Sequence, residues 1–273
     1  MHPQHRRQAR RKMQIRGVAV HAQSEQLRNI HGRAPFFCII LIRMPHTSTI
    51  ATHLHQVQER MRQACATAAR DPGAVRLLAV SKTFGAEQVA EAFAAGQTAF
   101  GENYIQEAVE KITALSHLPL EWHCIGPIQS NKTRLVAAHF DWVQSVDRLK
   151  IAQRLSEQRP ENLAPLNVCL QINIDGGPTK SGVAPSEALA LAQAVSQLPR
   201  LHLRGIMTIP EPSADMGSAN KAHRDARVLF ETLCQSGLAL DTLSMGMSAD
   251  LEAAISEGST MVRVGSAIFG GRA

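Results

Sequence analysis

The chain has 273 residues, of which 44% are hydrophobic and 19% charged, as in an ordinary globular protein with one large core. Its net charge of +6 does not indicate a nucleic-acid binder. Residues 1–46 carry nine Lys or Arg and one acidic residue, which leaves 20 basic and 22 acidic residues in the remainder. The longest apolar run, Phe36–Ile42, has seven residues, whereas a membrane-spanning helix needs roughly 20. We therefore expect neither nucleic acid nor a membrane as a partner.

Residues 1–46 differ in character from the rest of the chain. The basic stretch Arg6–Lys12 is followed by mixed polar sequence rather than by an apolar segment, so the pattern does not fit a signal peptide. We expect a disordered extension, or a start codon assigned too early with Met44 as the true first residue. A transit peptide is the alternative. The folded domain is predicted over residues 47–273.

The cysteines and histidines do not form the patterns of a metal site or a disulfide framework. The five cysteines are widely spaced, and none belongs to a C-x-x-C pair. No two of the twelve histidines have metal-ligand spacing together with a carboxylate on one helix face. We therefore expect no metal, and reduced thiols in a cytoplasmic protein.

One helix and then eight strands are predicted in chain order. Thr47–Arg70 carries an apolar stripe at helical spacing, and Asp71-Pro72-Gly73 ends it. Short apolar runs then predict strands at Arg76–Ser81, Thr98–Gly101, Glu121–Gly126, Trp142–Ser145, Leu166–Asn173, Leu203–Thr208, Thr242–Gly246 and Thr260–Val264. Helical segments between them include Ala86–Ala95, Tyr104–Leu115, Leu149–Gln158, Pro185–Leu198, Ala219–Ser236 and Asp250–Glu257.

Eight strands that alternate with helices predict an α/β fold, a single-domain (β/α)8 TIM barrel with an extra N-terminal helix. Several of the strands are almost continuously apolar, which is typical of a parallel sheet covered on both faces. A doubly wound open sheet is the alternative. The absence of a G-x-G-x-x-G turn after the first strand counts against it.

Polar residues lie at the end of nearly every predicted strand or just after it. Because a barrel carries its site at the carboxyl ends of its strands, these residues predict a site on one rim. They include Lys82, Asn103, His123, Asn173, Thr208, Ser244, Ser248, Arg263 and Ser266.

Lys82 follows the apolar run Leu77–Val80, an unusual place for a charged side chain. Removal of water from such an amine favours its uncharged, nucleophilic form, which can attack an aldehyde. The alternative is a rim lysine that is paired with Glu102 and has no chemical role.

The last two predicted strands are followed by residues suited to an anion. Ser248 precedes the helix predicted from Asp250 and is expected to cap it while its hydroxyl meets the anion. Gly265 allows close approach of the backbone, and Ser266 adds a donor. The loops after strands seven and eight form the usual phosphate site of a (β/α)8 barrel. A capped helix and a tight turn without a ligand are the alternative.

A close resemblance rests on five motifs in order, namely LLAVSKT (77–83), FGENYIQEA (100–108), WHCIGPIQSNK (122–132), SMGMSADLEAAI (244–255) and VRVGSAIFG (262–270). Together they resemble the YggS/PROSC family of pyridoxal 5′-phosphate (PLP) homeostasis proteins, which is itself similar to the N-terminal barrel of bacterial alanine racemase. The resemblance covers about residues 47 to 272, which is essentially the whole predicted barrel.

The resemblance implies PLP as the cofactor and a role for each matching residue. Lys82 would form the Schiff base, and Arg263 would face the pyridine nitrogen. Ser248 and the amides of Gly265 and Ser266 would hold the phosphate. The resemblance further implies that Ser244 and Met245 line the site and that Asn103 and His123 lie on the rim around the ring. Two positions depart from the family, Cys124 where Phe is common and Ser266 where Thr is common; the first is expected to loosen packing beside the ring.

The resemblance implies a carrier or regulator of PLP, without established turnover, that passes PLP to apo-enzymes. An arginine at the pyridine nitrogen makes the ring a weak electron sink. The racemase has a second domain with an opposing tyrosine base. This chain ends at Ala273, and its one tyrosine is Tyr104. A low-efficiency amino-acid racemase, or a barrel that binds a phosphorylated sugar, remains an alternative. A monomer is expected.

Overall fold

The computed structural model describes residues 49–177, 181–211 and 216–271, so the basic extension lies outside the described residues. Eight parallel strands form a closed barrel in chain order, with β1 paired to both β2 and β8. The predicted (β/α)8 barrel is confirmed. The strands are β1 (Arg76–Val80), β2 (Ala99–Glu102), β3 (Glu121–Cys124), β4 (Trp142–Val146), β5 (Leu166–Ile172), β6 (Leu201–Thr208), β7 (Thr242–Ser244) and β8 (Met261–Val264).

One helix precedes the barrel and the others connect or follow its strands. They are α1 (Thr49–Thr67), α2 (Ala86–Ala94), α3 (Ile105–Ala114), α4 (Thr133–His139), α5 (Leu149–Gln158), α6 (Ala188–Ser196), α7 (Met216–Gln235), α8 (Leu251–Ser256) and α9 (Ser266–Phe269). Short 3-10 turns occur at Pro72–Ala74 and Pro185–Glu187. None of the helices within the described ranges is long and apolar enough to cross a bilayer. The same ranges contain no trio of His, Cys, Asp or Glu placed to hold a metal ion.

The extra helix α1 packs on α8 and α9, the last two helices of the chain. Its apolar stripe is buried as predicted, including Leu54 and Val57, and burial of each such side chain contributes about 1.5–3 kcal/mol. Hydrogen bonds also fix the orientation of α1. Arg60 donates to the carbonyl of Ser248, and His53 contacts the carbonyl of Ile268. Helix α1 therefore supports the segments that follow β7 and β8.

Some element ends differ from the prediction for identifiable reasons. Strand β7 ends at Ser244 rather than Gly246, because Gly246 has φ of 92° and turns the chain away. Helix α1 ends at Thr67, before the predicted stop, and Ala69 follows with φ of 53°. Helix α4 has only seven residues, and Lys132 precedes it at the N-cap position.

The interior of the barrel combines small apolar clusters with buried polar side chains. Trp142, Cys169 and Met207 form one cluster. The indole of Trp142 stacks on His123 with ring centroids 5.1 Å apart, and the guanidinium of Arg204 lies 4.7 Å from its centroid. These side chains fill the barrel below its carboxyl-terminal rim.

Candidate functional site

A cavity of about 450 Å³ opens at the carboxyl ends of the strands, where the site was predicted. A volume of this size is ordinary for a small-molecule site. The structure brings six of the predicted residues together in its wall, namely Lys82, Asn103, Ser248, Arg263, Gly265 and Ser266. The wall also contains Val80, Thr83, Phe84, Ile125, Ile209, Met247, Ala249 and Gly270.

Lys82 is half-buried and lies in the turn that follows β1. The alternative prediction paired it with Glu102. The Glu102 carboxylate instead accepts hydrogen bonds from Lys111 Nζ at 2.8 Å and Ser81 Oγ at 2.6 Å. Lys82 lines the cavity, on the side of the barrel where a ligand would bind.

Two hydroxyl groups and a glycine form one end of the cavity. Ser266 Oγ lies 3.4 Å from Ser248 Oγ, a separation that one anion with several oxygens can bridge. A Cβ on Gly265 would lie 3.0 Å from the carbonyl oxygen of Val80, so this position tolerates little beyond glycine. Hydroxyl donors beside a closely approaching backbone fit a phosphate group.

The expectation that Ser248 caps the following helix is wrong. Helix α8 begins at Leu251, and Asp250 occupies the N-cap position. The Asp250 carboxylate accepts from the amide of Met247 at 2.6 Å and pairs with His223 Nε2 at 2.9 Å. Burial raises the pKa of Asp250, but these hydrogen bonds outweigh it and hold the pKa below its usual value. Asp250 therefore shapes the loop that carries Ser248.

Arg263 forms part of the cavity wall and is only 4% exposed. Its guanidinium donates to Ser244 Oγ and to the carbonyl of Thr208, each at 2.8 Å. Burial lowers the pKa of Arg263 to about 10, which leaves it cationic at neutral pH. Both acceptors are neutral oxygens, so neither of them cancels the positive charge of the guanidinium.

Three predicted residues do not reach the cavity. Ser244 and Met245 are fully buried, and their expected position in its wall is wrong. Met247, two residues further along, lines it instead. His123 is also fully buried, and its Nε2 lies 2.6 Å from Glu121 at the start of β3. The expected rim position of His123 is therefore wrong.

The departure at Cys124 does not affect the cavity. Its side chain belongs to the large apolar core between the strands and the helices. Ile125, the next residue, faces the cavity because successive side chains of a strand point to opposite sides. The expected loosening beside a bound ring is therefore wrong.

Ser244 and His123 instead belong to a column of hydrogen bonds that runs down inside the barrel from Arg263. Ser244 Oγ accepts from Arg263 and donates to Gln144 Oε1 at 2.7 Å. Gln144 Nε2 lies 2.9 Å from Nδ1 of His123. An amide nitrogen can only donate, so Nδ1 accepts and Nε2–H of His123 donates to Glu121. We call the set Arg263, Ser244, Gln144, His123 and Glu121 the polar column.

The lower end of the polar column lies on the opposite face from the cavity. Arg76 donates to Glu121 at 2.6 Å, and both side chains are partly exposed there. Burial lowers the pKa of His123, although its hydrogen bond to Glu121 acts in the opposite direction. A neutral His123 is consistent with the hydrogen-bond directions in the column.

Sequence reasoning missed the apolar wall of the cavity. Phe84, Ile125, Ile209 and Met247 supply it, and the Phe84 ring stacks on Phe269 with centroids 5.1 Å apart. These residues follow strand ends just as the polar ones do, so their position in the sequence could have predicted that they line the cavity. Such a wall suits the faces of a flat ring.

Comparison with known proteins adds the family. The family model described as alanine racemase, N-terminal domain, matches residues 52–273. The pyridoxal phosphate homeostasis protein of Pseudomonas aeruginosa is 60% identical over 225 residues, which is 82% of this chain and 96% of that protein. The Escherichia coli protein of the same name is 52% identical over 226 residues, 82% of this chain and 97% of its own.

Solved structures agree with the fold. PipY of Synechococcus elongatus PCC7942, in a structure with PLP bound, has a TM-score of 0.72 and 38% identity, and the match covers 81% of this chain and all of PipY. Alanine racemase of Clostridium difficile has a TM-score of 0.62 and 15% identity, covering 79% of this chain and 56% of the racemase. The second likeness concerns the fold alone.

Proposed function

The chain belongs to the family of pyridoxal phosphate homeostasis proteins, and from this premise we propose that it binds PLP as a Schiff base on Lys82. Its function is that of a carrier or regulator in PLP homeostasis. One observation carries the proposal: Lys82, Ser248, Ser266 and Arg263 line a single cavity. The PLP-bound structure of PipY supports the same cofactor.

Each group in the cavity has a distinct task in the proposal. Ser248, Ser266 and the Gly265 backbone would hold the phosphate, and Arg263 and Asn103 would lie beside the ring. Lys82 would hold the aldehyde carbon covalently through its uncharged amine, with loss of one water molecule. Bound PLP supplies an electrophilic carbon and a conjugated ring. The apolar wall excludes water from that bond.

The same groups favour retention of PLP over turnover. Arg263 is cationic and disfavours a proton on the pyridine nitrogen, which keeps the ring a weak electron sink. Tyr104 is 51% exposed and does not line the cavity, so it is not placed to act as an opposing base. A low-efficiency racemase is the second candidate, supported by the shared barrel.

Absorption spectroscopy of the purified protein titrated with PLP tests the proposal. We expect a visible Schiff-base band that disappears in Lys82→Ala and persists in Lys150→Ala, a matched change at an exposed lysine on α5. The absence of a band, or a band unchanged in Lys82→Ala, would contradict the proposal and favour a barrel for phosphorylated sugars. Racemisation of alanine that depends on Lys82 would favour the second candidate.

The proposal extends to partners, location and assembly. Apo forms of PLP-dependent enzymes are the recipients, and transfer of PLP from the loaded protein to such an enzyme tests this. A cytoplasmic location is supported by the buried reduced thiols of Cys65, Cys124 and Cys169. A monomer is supported by the scattered positions of the large exposed apolar side chains among the described residues. Light scattering of the purified protein measures its mass.

A further inference from the structure

The turn that carries Lys82 has a strained backbone. Thr83, the next residue, has φ of 70°. This left-handed conformation is unfavourable for a β-branched residue and persists only where the surroundings enforce it. The direction in which the Lys82 side chain leaves the end of β1 therefore depends on whatever holds this turn.

A buried lysine on α3 lies directly behind the turn. Lys111 is 5% exposed, and its Nζ contacts the carbonyl of Ser81 at 2.9 Å, Glu102 Oε1 at 2.8 Å and Glu107 Oε1 at 2.8 Å. An ammonium group has three donor hydrogens, and three oxygens surround this one. We call Ser81, Glu102, Glu107 and Lys111 the Lys111 cluster.

The Lys111 cluster binds the peptide groups on both sides of Lys82. The carbonyl of Ser81, the residue before, accepts from Lys111. The amide of Thr83, the residue after, donates to Glu107 Oε1 at 3.0 Å. Two backbone groups that flank one side chain are thus tied to one helix.

None of the four cluster residues lines the cavity. The carbonyl of Ser81 and the carboxylate of Glu102 accept from Lys111 of α3, whereas Lys82 lines the cavity. An effect of the cluster on a ligand must therefore pass through the backbone of the turn. Lys111 is held by three oxygens and is not itself placed to react with an aldehyde.

We propose that the Lys111 cluster is a positioning device that holds the Lys82–Thr83 turn in its strained conformation and so fixes the reach of the Lys82 amine. The inference rests on the proposed function, because Lys82 is taken as the lysine that forms the Schiff base. Glu107 and Lys111 are positioning residues without contact to the ligand. The cluster should affect covalent capture of the aldehyde and leave binding of the phosphate unchanged.

Two ligands separate these effects. PLP reports on both the phosphate site and Lys82, whereas pyridoxine 5′-phosphate has an alcohol in place of the aldehyde and reports on the phosphate site alone. In Glu107→Ala we expect the equilibrium constant for the Schiff-base band to fall about tenfold, the effect of losing a hydrogen bond to a charged group. Calorimetric affinity for pyridoxine 5′-phosphate should equal that of the unmodified protein. Glu110→Ala, an exposed glutamate on the same helix, is the matched control and should change neither.

A conservative variant guards against a merely structural explanation. Glu107→Gln keeps an oxygen that can accept from the Thr83 amide, so it should recover most of the Schiff-base constant. Lys111→Met leaves the buried carboxylate of Glu102 without its cation and is expected to fold poorly, which is why Glu107 carries the test.

Equal losses for both ligands in Glu107→Ala, or no loss for PLP, would overturn the inference. Absence of a Schiff-base band in the unmodified protein would instead refute the proposed function, and the inference with it.

Discussion

Gln144 is the central link of the polar column, and its replacement by methionine gives a sharp test of the column. Gln144 is fully buried; its Oε1 accepts from Ser244 and its Nε2 donates to Nδ1 of His123. Methionine has a similar length and volume, but its thioether cannot donate to His123 and accepts from the Ser244 hydroxyl only weakly. The expected loss of stability is therefore electrostatic rather than a matter of packing.

The magnitude follows from the groups left behind in Gln144→Met. The Ser244 hydroxyl hydrogen and Nδ1 of His123 both lose their partners in fully buried positions. Each buried polar group without a partner costs about 1–3 kcal/mol. We therefore expect the free energy of unfolding to fall by about 2–6 kcal/mol, a large part of the 5–15 kcal/mol that is typical of a domain.

Gln144→Glu should instead change how the free energy of unfolding depends on pH. A carboxylate oxygen then faces Nδ1 of His123, and two acceptors at that distance require a proton between them. The unfolded chain releases the histidine proton near pH 6.5, while the folded variant retains it. Above that pH the free energy of unfolding should fall by about 1.4 kcal/mol per unit of rising pH.

The unmodified protein should behave differently. Burial lowers the pKa of His123 in the folded state, so the unfolded state binds the extra proton below about pH 6.5. The stabilisation that comes from a neutral, buried His123 is therefore constant above about pH 6.5 and is lost as the pH falls below that value. The stability difference between Gln144→Glu and the unmodified protein should widen steadily as pH rises.

Urea unfolding, followed by circular dichroism at several pH values, measures the free energy of unfolding of the unmodified protein and of both Gln144 variants. Gln106→Met, an exposed position on α3, is the matched control and should stay within about 0.5 kcal/mol of the unmodified protein. A Gln144→Met variant as stable as this control, or a Gln144→Glu variant with the original pH dependence, would refute the hydrogen-bond directions assigned to the column.

Three further predictions concern the cavity and the core. Arg263→Ala should weaken PLP retention less than Lys82→Ala does, because no covalent bond is lost; equal weakening in equilibrium dialysis would contradict the role given to Arg263. Gly246→Ala should destabilise the protein by at least about 2 kcal/mol in urea and weaken binding of pyridoxine 5′-phosphate. The new Cβ would lie 2.4 Å from a side chain of α8, at φ of 92°. Burial raises the pKa of Cys124 and Cys169 to about 12, so peptide mapping after treatment with a thiol reagent at about pH 8 should find both unmodified until the protein unfolds.

The sequence was sufficient to predict the barrel and much of the cavity wall. Apolar runs at regular intervals predicted the strands, and a residue that follows a parallel strand must lie near the rim, so Lys82 and Ser266 could be assigned to one place. Depth along the barrel axis is harder to predict. Ser244 and His123 face inward but lie below the rim, and no local pattern separates such residues from those at the surface of the cavity.

The Lys111 cluster could not have been predicted from local patterns either. Lys111 on α3 meets the carbonyl of Ser81, which is 30 residues earlier in the chain. In the sequence it looks like an ordinary helical lysine beside Glu107. Only the packing of α3 against the ends of β1 and β2 turns this pair into a support for Lys82.

The position of the cavity implies that the protein can bind its ligand only after the last strand of the barrel has formed. Lys82 follows the first strand and Ser266 follows the last, and these two strands pair with each other to complete the cylinder. The groups that would grip a ligand are thus separated by nearly the whole domain and meet only when the final strand docks. A ligand that binds both groups therefore links the ends of β1 and β8, where the barrel closes. At a free concentration one hundred times its dissociation constant, such a ligand should raise the free energy of unfolding by about 2.7 kcal/mol.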